Sequence, residues 1–383
     1  MHEERKSKAL IIGAGIGGLT AGIALQQAGY DVKIFERANA IREIGAGLSI
    51  WTNAVLVLQQ LGLGEALQSI SIPLTSVSFY TPQGKLLTAH DLKPLQEKFG
   101  AASVMIHRAD LQKLLLDTLG QDRIQLYSEC SGFTQNEPGV QAKFSDGWLT
   151  QGDILIGADG LHSVVRAQLF GKIKPRYAGY PAWRGVTQFE HSFLTPGKAF
   201  ETWGRGVRFG AAPLSQGRVY WYITANMPEG SSKKSRRELQ ELCEGWHPPI
   251  QSIIQATAES VILQNDIYDR DPLPRWGNGL VTLLGDAAHP TTPNMGQGAC
   301  QAIEDALILS KCLRNAEDKA AALRSYEAQR IPHTSAIVKQ SRQIGMLGKL
   351  SDPLTCWLRD LAMRYMPASI QAKQIEWPLR FQG

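Results

Sequence analysis

The chain has 383 residues, of which 43% are hydrophobic and 20% are charged, and its formal net charge is +5. A chain of this size can bury a large core and exceeds one ordinary domain, so we expect two closely packed domains. The basic cluster at 233–237 is short, which argues against nucleic acid as a partner. The five cysteines have neither CxxC nor metal-ligand spacing, which predicts free thiols in a reducing cytoplasm and no metal site.

The first motif along the chain is a glycine-rich turn between a strand and a helix. Residues 9–12 form an apolar run suited to a buried parallel strand, and Gly13, Gly15 and Gly18 follow with GxGxxG spacing before a helical stretch at 19–28. The first glycine permits the turn, the second lets the backbone approach a pyrophosphate, and the third lets helix and strand pack. The N–H groups at the helix start can bind the anion, so the motif predicts a dinucleotide site.

The next strand, at 32–35, is followed by the acidic residue Glu36. A carboxylate at this place can accept hydrogen bonds from ribose hydroxyls, and its charge disfavours a 2′-phosphate, so FAD or NAD is favoured over NADP. The basic residues at 5–8 leave a signal peptide or a membrane helix as the alternative. The glycine spacing, Glu36 and the lack of a small-residue cleavage pattern favour the nucleotide site.

Further elements follow in the first part of the chain. The pattern predicts a glycine-containing loop at 45–49, a helix at 53–61, a strand pair at 74–90 with a turn at 82–84, a helix at 111–119, a hairpin at 124–149 and a buried strand at 153–160 that ends in a polar turn.

From about residue 172 to 272 the pattern changes to aromatic-rich strands, and it then returns to a buried strand. Strands are predicted at 186–189, 207–212, 219–225 and 280–284, and helices at 236–243, 250–257 and 298–313. We therefore predict that the nucleotide-binding domain is built from both ends of the chain. The expected division is 1–171 for its first part, including part of a substrate-side sheet near 74–105, 172–272 for a sheet-based substrate domain, 273–335 for its second part, and 336–383 for a C-terminal helical segment.

Four motifs stand in a recognisable order: GAGIGG at 13–18 with Glu36, HRADLQ at 107–112, GADG at 157–160 and GDAAHPTTPNMGQG at 285–298. Together they resemble the single-component FAD-dependent aromatic hydroxylases, the group that contains p-hydroxybenzoate hydroxylase, salicylate hydroxylase, FAD-dependent urate hydroxylase and the zeaxanthin epoxidases. The match extends to about residue 335. The resemblance implies an α/β fold in which a Rossmann-like FAD-binding domain carries an inserted antiparallel-sheet substrate domain, as in p-hydroxybenzoate hydroxylase.

The resemblance also implies which residues bind FAD. Asp286 matches the residue that holds the ribityl chain, with a helix N-cap as the alternative, Asp159 matches one linked to FAD and the nicotinamide cofactor, and Arg108 matches one near the pyrophosphate. The N–H groups of 296–298 would face the pyrimidine end of the flavin, where negative charge appears on reduction. The expected FAD contacts are Gly13, Gly15, Gly18, Glu36, Arg37, Gly47, Ser49, Arg108, Cys130, Asp159, Asp286, Pro293, Gly296, Gln297, Gly298, Ala299 and Cys300.

The reaction that the resemblance implies is a monooxygenation. NADH or NADPH reduces FAD, dioxygen adds to form a flavin hydroperoxide, and one oxygen atom passes to an aromatic ring or an alkene. The protein must exclude water and hold the substrate near the flavin, in a space bordered by residues 293–296. The sequence has no second GxGxxG, consistent with transient binding of the nicotinamide cofactor. The alternatives are a flavin-dependent dehydrogenase or reductase, and a flavoprotein that only binds an aromatic ligand.

Substrate selection is expected on the inserted sheet. Arg208 and Tyr220 match substrate-pocket residues of the urate hydroxylases, and such a pair suits an anionic or phenolic oxygen. Strand alternation puts Tyr220 and Tyr222 on one face and Trp221 on the other, and either face could belong to the core. His289 precedes a proline in a turn, which favours a structural role over a general base. No catalytic acid or base is predicted.

The last part of the chain predicts a helix over 350–366 that packs over the flavin domain, with a membrane-surface role as the alternative. This stretch is too short and too charged to span a bilayer. The expected partners are therefore a small aromatic or unsaturated substrate and dioxygen, and the sequence leaves open whether the chain is a monomer or a homodimer.

Overall fold

The structure is a computed structural model that describes residues 6–41, 46–136 and 139–381. Its strands are β1 (Lys8–Ile12), β2 (Asp31–Phe35), β3 (Gly47–Ile50), β4 (Ser71–Pro73), β5 (Ser76–Tyr80), β6 (Leu86–Asp91), β7 (Val104–His107), β8 (Ile124–Gln125), β9 (Cys130–Asn136), β10 (Gly139–Phe144), β11 (Leu149–Gly152), β12 (Ile154–Gly157), β13 (Arg176–Gln188), β14 (Lys198–Trp203), β15 (Val207–Pro213), β16 (Arg218–Ala225), β17 (Leu263–Asp269) and β18 (Val281–Leu283).

The helices are α1 (Ile16–Gln27), α2 (Thr52–Gln60), α3 (Gly64–Ser69), α4 (Lys93–Phe99), α5 (Arg108–Leu119), α6 (Val164–Phe170), α7 (Arg236–Leu242), α8 (Ile250–Ala256), α9 (Gly298–Leu313), α10 (Lys319–Gly348), α11 (Pro353–Tyr365) and α12 (Ala368–Glu376). Short 3-10 helices cover Gln121–Arg123, Glu259–Val261, Gly285–Ala287, Pro293–Met295 and Trp377–Leu379.

A parallel sheet organises the nucleotide-binding part. Its strand order is β18-β12-β1-β2-β8, and every neighbouring pair is parallel. The central strands β1 and β12 are almost continuously apolar and buried, as strands covered on both faces must be. Because β18 and α9 come from late in the chain and α1 packs against α9, both ends of the chain build this part.

The second large sheet has seven strands in the order β17-β13-β16-β15-β14-β5-β6. Its pairs are antiparallel except for β14 with β5, which are parallel, so the inserted sheet is mixed. One face is covered by α7 and α8, which supply Leu239 and Ile253 to a core with Trp183, Phe209 and Trp221. The opposite face carries the candidate substrate residues, of which Tyr220 contacts Gly47 and Arg208 contacts Asn294.

Most predicted helices are confirmed to within a few residues, including 53–61, 111–119 and 298–313. The loop predicted at 45–49 is wrong where it is described: Gly47 and Ser49 belong to β3, which pairs with β7. Gly45 lies outside the described residues. Tertiary pairing decides here, because a short glycine-containing run becomes a strand once a neighbouring strand supplies its hydrogen bonds.

The C-terminal helices differ from the expectation in where they pack. The helix α10 crosses residue 335 without interruption, and the division of the chain into domains stays a prediction. The helix α11 contacts β6 of the seven-stranded sheet, where Arg364 donates to the carbonyl of Leu86. The expected packing of this helix over the flavin domain is therefore wrong. Among the helices of the described residues, none has the length and apolar character needed to cross a membrane.

Candidate active site

The glycine turn after β1 leaves space at the start of α1. Gly13 has φ +106°, and a Cβ there would lie 2.5 Å from the carbonyl oxygen of Ala158. A Cβ at Gly18 would collide with the carbonyl of Gly13, whereas one at Gly15 would meet no protein atom within 4 Å. Gly15 is also the N-cap of α1 and provides no capping side chain. The open space and the N–H groups at this helix end fit a pyrophosphate.

Glu36 is fixed beside this turn. Its carboxylate accepts hydrogen bonds from the backbone N–H groups of Ala14 and Ala38, both at 2.9 Å. The side chain is half-buried, and the neighbouring Arg37 is exposed. The carboxylate is therefore held at the end of β2 with acceptor capacity left for ribose hydroxyls.

Asp286 follows β18, and we call the space between it, Arg108 and the start of α9 the cleft. The side chain of Asp286 is exposed, yet protein surrounds it closely enough that burial raises the pKa of the carboxyl group, against the opposing charges of His289 and Arg108. Its Oδ1 would lie 4.0 Å from a Cβ on Gly298, the first residue of α9. The residue before α9 is Gln297, so Asp286 does not cap this helix. A carboxylate in this position can bind a hydroxyl-bearing group that fills the cleft.

Two buried polar atoms near this cleft have no hydrogen-bond partner in the described chain: Nη1 of Arg108 and Oδ1 of Asp159. Burial lowers the pKa of Arg108. The charge of Asp286 opposes this decrease, and the charge of Arg184 adds to it. Burial also raises the pKa of Asp159, whose Oδ2 accepts from the N–H of Val164 at 2.7 Å. Because unpaired buried groups are expensive, these atoms fit a bound molecule that supplies phosphate oxygens and hydroxyls.

Residues 49–51, at the end of β3, meet the turn at Gly296 and the start of α9. Gly296 has φ +63°, and a Cβ there would lie 2.5 Å from Oγ of Ser49 and 2.9 Å from Nε1 of Trp51. The backbone N–H of Trp51 donates to Sγ of Cys300 at 3.3 Å. Burial raises the pKa of that thiol to about 12. Trp51 was not predicted as a site residue, although it stands two residues after Ser49. These contacts bring the predicted residues Ser49, Gly296 and Cys300 together.

The other predicted cofactor residues lie around the same cleft or next to it. Gln297 is buried, and its side-chain oxygen accepts from Asn53 and Gln301. Ala299 is half-buried within α9, and Pro293 is exposed at the start of a 3-10 helix.

Cys130 begins β9, and its buried thiol donates to the carbonyl of Gly132. Burial raises the pKa of this thiol to about 11, and the charge of Asp159 adds to the effect. The backbone of Gly47 packs so closely on the ring of Tyr220 that a Cβ there would collide with it. Gly47, a predicted FAD contact, is therefore in direct contact with the seven-stranded sheet.

The seven-stranded sheet separates core from site by simple alternation. Trp221 and Ile223 are fully buried in the core beneath α7 and α8. Tyr220, Tyr222 and Thr224 point the other way, and the register places Arg208 opposite Thr224 on that same face. Trp221 therefore lies on the core face and Tyr220 and Tyr222 on the other face, whereas their substrate role stays a prediction.

Arg208 is only 4% exposed and is held by neutral groups. Its Nη2 donates to Oδ1 of Asn294 at 2.7 Å and its Nε donates to Oγ1 of Thr224 at 3.3 Å. The guanidinium lies 5.4 Å from the ring centre of Trp203 and 5.7 Å from that of Tyr180. Throughout residues 6–41, 46–136 and 139–381, no carboxylate forms an ion pair with it.

The nearby carboxylate of Glu201 is used differently. It accepts a very short hydrogen bond from the hydroxyl of Tyr222 and a second one, at 2.7 Å, from Nε1 of Trp203. Burial and the charge of Glu201 raise the pKa of Tyr222 well above the usual value, so this hydroxyl keeps its proton. Glu201 was missed by the sequence reasoning because only strand register brings it opposite Gly210, beside Tyr222.

Arg208 and Tyr220 share a face but do not form a pair. Tyr220 stands opposite Ala212, four residues along β15 from Arg208. Its closest basic partner is Arg184 of β13, which opposes the rise in the pKa of Tyr220 that burial causes. The predicted Arg–Tyr pair is therefore replaced by two polar centres on one sheet face, one around Arg208 and one around Tyr220.

Comparisons with known proteins agree with this geometry. The family model described as an FAD binding domain matches residues 6–341, which is most of the chain. The chain belongs to this FAD-binding family. It is similar to the aurachin C monooxygenase/isomerase of Stigmatella aurantiaca, with 42% identity over 93% of this chain and 94% of that protein. Its identity to an FAD-dependent urate hydroxylase of Klebsiella pneumoniae is 38% over 88% of this chain and 89% of that one.

Solved structures give the same result. The crystal structure of Klebsiella pneumoniae HpxO complexed with FAD and uric acid matches with a TM-score of 0.93 at 33% identity, covering 97% of this chain and 96% of that one. A salicylate hydroxylase substrate complex matches with a TM-score of 0.79 at 23% identity, which shows the fold alone. The predicted fold, the FAD cofactor and the class of FAD-dependent monooxygenase are confirmed.

In this FAD-binding family member, His289 belongs to a buried ionic network behind the cleft. Its Nε2 lies 2.6 Å from Oδ2 of Asp305, and Arg330 binds Asp305 and Glu304, each at 2.7 Å. All four side chains are buried. Asp305 also accepts from the backbone N–H of Gly285, the residue before Asp286. His289 is therefore structural, and it helps to fix the backbone that presents Asp286.

Proposed function

We propose that this FAD-dependent monooxygenase hydroxylates an aromatic substrate that carries an ionised or readily ionised oxygen. The observation that carries the proposal is Arg208, a buried guanidinium on the open face of the sheet with no carboxylate partner in the described chain. An isolated buried charge is costly unless something pairs with it. A substrate oxygen that bears negative charge supplies that partner.

The chain's own residues hold the cofactor in this proposal. The turn at 13–18 and the start of α1 bind the pyrophosphate, and Glu36 binds the adenosine ribose. Asp286 would hold the ribityl hydroxyls, and the N–H groups at 296–298 would hold the pyrimidine end of the flavin. FAD bound there would supply the redox chemistry that joins electrons from NADH or NADPH to dioxygen, with one oxygen atom going to the substrate and the other to water.

Arg208 also favours the ionised form of the substrate. Its setting between Trp203 and Tyr180 is poor in water, which strengthens its attraction to an anion and lowers the pKa of a bound phenol or enol. The ionised ring is more electron-rich and so a better acceptor of oxygen. Asn294 binds Arg208 and lies two residues before Gly296, so the substrate anchor and the start of α9 are connected directly.

The proposed setting of this reaction is the reducing cytoplasm. The five cysteines are free thiols, and Cys130, Cys243, Cys300 and Cys356 are buried. The proposed partners are one small aromatic substrate, dioxygen and a transient nicotinamide cofactor.

A substrate screen tests the proposal. Purified protein is expected to be yellow, and oxidation of NADH or NADPH is expected to consume dioxygen faster when a substrate is present. Phenols, purines and polyenes form the screen, with purines included because urate hydroxylases are among the relatives. A product heavier by one oxygen atom supports the proposal. A reduced flavin that persists in air favours a reductase, and ligand binding without flavin reduction favours a binding protein.

A substitution tests the cofactor site. We expect Asp286→Ala to weaken FAD binding about 10- to 100-fold, because it removes a charged hydrogen-bond acceptor of about 1.5–3 kcal/mol. The measurement is the dissociation constant of FAD by fluorescence titration of the apoprotein. Asp117→Ala, at a half-exposed position of α5, is the control. Full FAD occupancy in Asp286→Ala would remove the central assignment.

A further inference from the structure

The helix α11 presents an apolar stripe to solvent. Its exposed positions are all uncharged and almost all apolar, and the large side chains among them include Leu354 at 62%, Trp357 at 58% and Tyr365 at 71% exposure. The complete exposed set is Pro353, Leu354, Trp357, Leu358, Leu361, Ala362 and Tyr365. The buried side of the helix instead contains Cys356 and Arg359. This is the reverse of an ordinary amphipathic surface helix, whose apolar side faces the core.

The surroundings of the stripe are basic. Arg205 is exposed and lies close enough to Cys356 to affect its pKa, and Arg364 holds the C-terminal end of α11 to Leu86. Leu86 is itself 47% exposed and follows the exposed Lys85. The acids of α11 are already engaged, because Asp352 caps the helix and Asp360 pairs with Arg359 at 2.8 Å. The charge around the stripe therefore complements an anionic partner.

The size of the stripe favours a lipid surface over a second copy of the chain. A helix of 13 residues is about 20 Å long and about 10 Å wide, so its footprint is roughly 200 Å². A stable dimer needs about 800 Å² from each partner. The same length falls short of the ~30 Å needed to cross a bilayer, so the helix would lie on the surface.

We propose that the outer face of α11 docks on an anionic lipid surface, with Trp357, Leu358 and Leu361 inserted among the acyl chains and the neighbouring arginines at the headgroups. Trp and Tyr are the side chains that favour this interface, because one part of each ring is apolar and the other part can hydrogen-bond. Apolar contact and attraction to anionic headgroups then act together, as stable surface binding requires.

The docked helix adjoins the substrate anchor. On its buried side, Arg359 lies 5.4 Å from the ring centre of Trp203, and the same ring lies 5.4 Å from Arg208. Gly348, at the end of α10, leaves room for Arg208, since a Cβ there would lie 2.7 Å from its Nε. A consequence, which rests on the proposed function, is that the substrate is an aromatic head with an apolar tail, taken up at the lipid surface.

Vesicle flotation tests the docking. Wild-type holoenzyme is mixed with vesicles of phosphatidylcholine containing phosphatidylglycerol, or of phosphatidylcholine alone. We expect binding to the anionic vesicles, weakened by high salt and by omission of phosphatidylglycerol. The double variant Trp357→Glu/Leu361→Glu should lower the partition coefficient about tenfold or more. Val261→Glu changes a 48% exposed apolar residue next to the opposite face of the seven-stranded sheet and should bind like wild type.

Three outcomes overturn the docking. In the first, the wild type floats with neither kind of vesicle, and in the second, the double variant floats like the wild type. In the third outcome the wild type is a dimer that binds no vesicles, and the double variant is a monomer. Flavin content and NAD(P)H oxidation without vesicles check that the double variant is folded, and both should match wild type. A yellow, active protein that ignores vesicles refutes the docking and leaves the proposed function intact. A vesicle-binding protein that does not oxidise NAD(P)H refutes the proposed function instead.

Discussion

Two buried arginines on either side of the cleft have opposite surroundings. Arg330, 1% exposed, binds the carboxylates of Glu304 and Asp305 and the side chain of Gln301. Arg208, 4% exposed, has only an amide oxygen, a hydroxyl and two aromatic rings. The carboxylate nearest to it in the sheet, Glu201, is occupied by Tyr222 and Trp203.

The different surroundings of the two arginines indicate a structural role for Arg330 and a ligand-binding role for Arg208. The charge of Arg330 is balanced within the chain, so it fixes α9 and α10 and requires no ligand. The charge of Arg208 is shielded by neutral groups and remains available to an anion. The two arginines should therefore respond differently when each is replaced by an uncharged side chain.

The largest effect is expected for Arg330→Met. Removing one partner of a buried network leaves Glu304 and Asp305 uncompensated, so the free energy of unfolding should fall by about 3–5 kcal/mol. Urea unfolding of the holoenzyme measures it. Lys339→Met, at an exposed position of the same helix, is the control and should change the free energy of unfolding by about 0.5 kcal/mol or less. Equal losses in the two variants would contradict a special role for the network.

Arg208→Met should show the reverse pattern. We expect the free energy of unfolding to change by less than about 1 kcal/mol, because a desolvated charge is removed along with its hydrogen bonds. The KM for the substrate should rise about 10- to 100-fold, since a charged hydrogen bond contributes about 1.5–3 kcal/mol. Steady-state kinetics and urea unfolding decide it. A variant that unfolds easily but keeps its KM would make Arg208 a structural residue.

The ionic network should also make stability depend on pH through His333. Burial, and then the charge of Arg330, lower the pKa of His333 from 6.5 to about 4. Between these values the unfolded chain binds a proton that the folded chain does not, so stability should fall by on the order of 2 kcal/mol as the pH drops from 6.5 to 4. His333→Gln should lack this part of the pH profile in thermal unfolding. An unchanged profile would show that His333 is protonated in the folded state.

The smallest effect is expected for Tyr222→Phe. Loss of the hydroxyl leaves an oxygen of Glu201 without its donor, which should cost about 1 kcal/mol of unfolding free energy. The freed carboxylate can then compete with the substrate for Arg208, so KM should rise a few-fold at constant FAD content. Tyr268→Phe, whose hydroxyl binds Glu229 at the surface, is the control. A fall in KM would mean that Glu201 does not compete for Arg208.

The residues proposed to bind the cofactor could be predicted from the sequence more completely than those proposed to bind the substrate. Gly13, Gly15, Gly18 and Glu36 lie within one strand–helix–strand unit, so local spacing nearly determines their geometry. Asp286 was predicted because it stands in a long motif, and its contact with FAD stays a prediction. Trp51 was missed because its position beside Gly296 depends on how β3 meets the start of α9.

The substrate side depends on strand register, which a single sequence does not specify. Alternation correctly grouped Tyr220 with Tyr222, but it could not show that Arg208 stands opposite Thr224 or that Glu201 reaches Tyr222. Asn294 joins Arg208 from a different segment. The Arg330 network was likewise invisible, because its members come from α9 and α10 and contact one another only when these helices pack.

The parallel sheet takes its strand β18, and with it the residues around Asp286, from beyond the seven-stranded sheet in the chain. During synthesis the glycine turn and Glu36 emerge first, and the residues around the flavin ring emerge only after the whole inserted sheet. In the proposed site, the residues that would bind the flavin end are therefore completed only after the strands of the proposed substrate face have been synthesised.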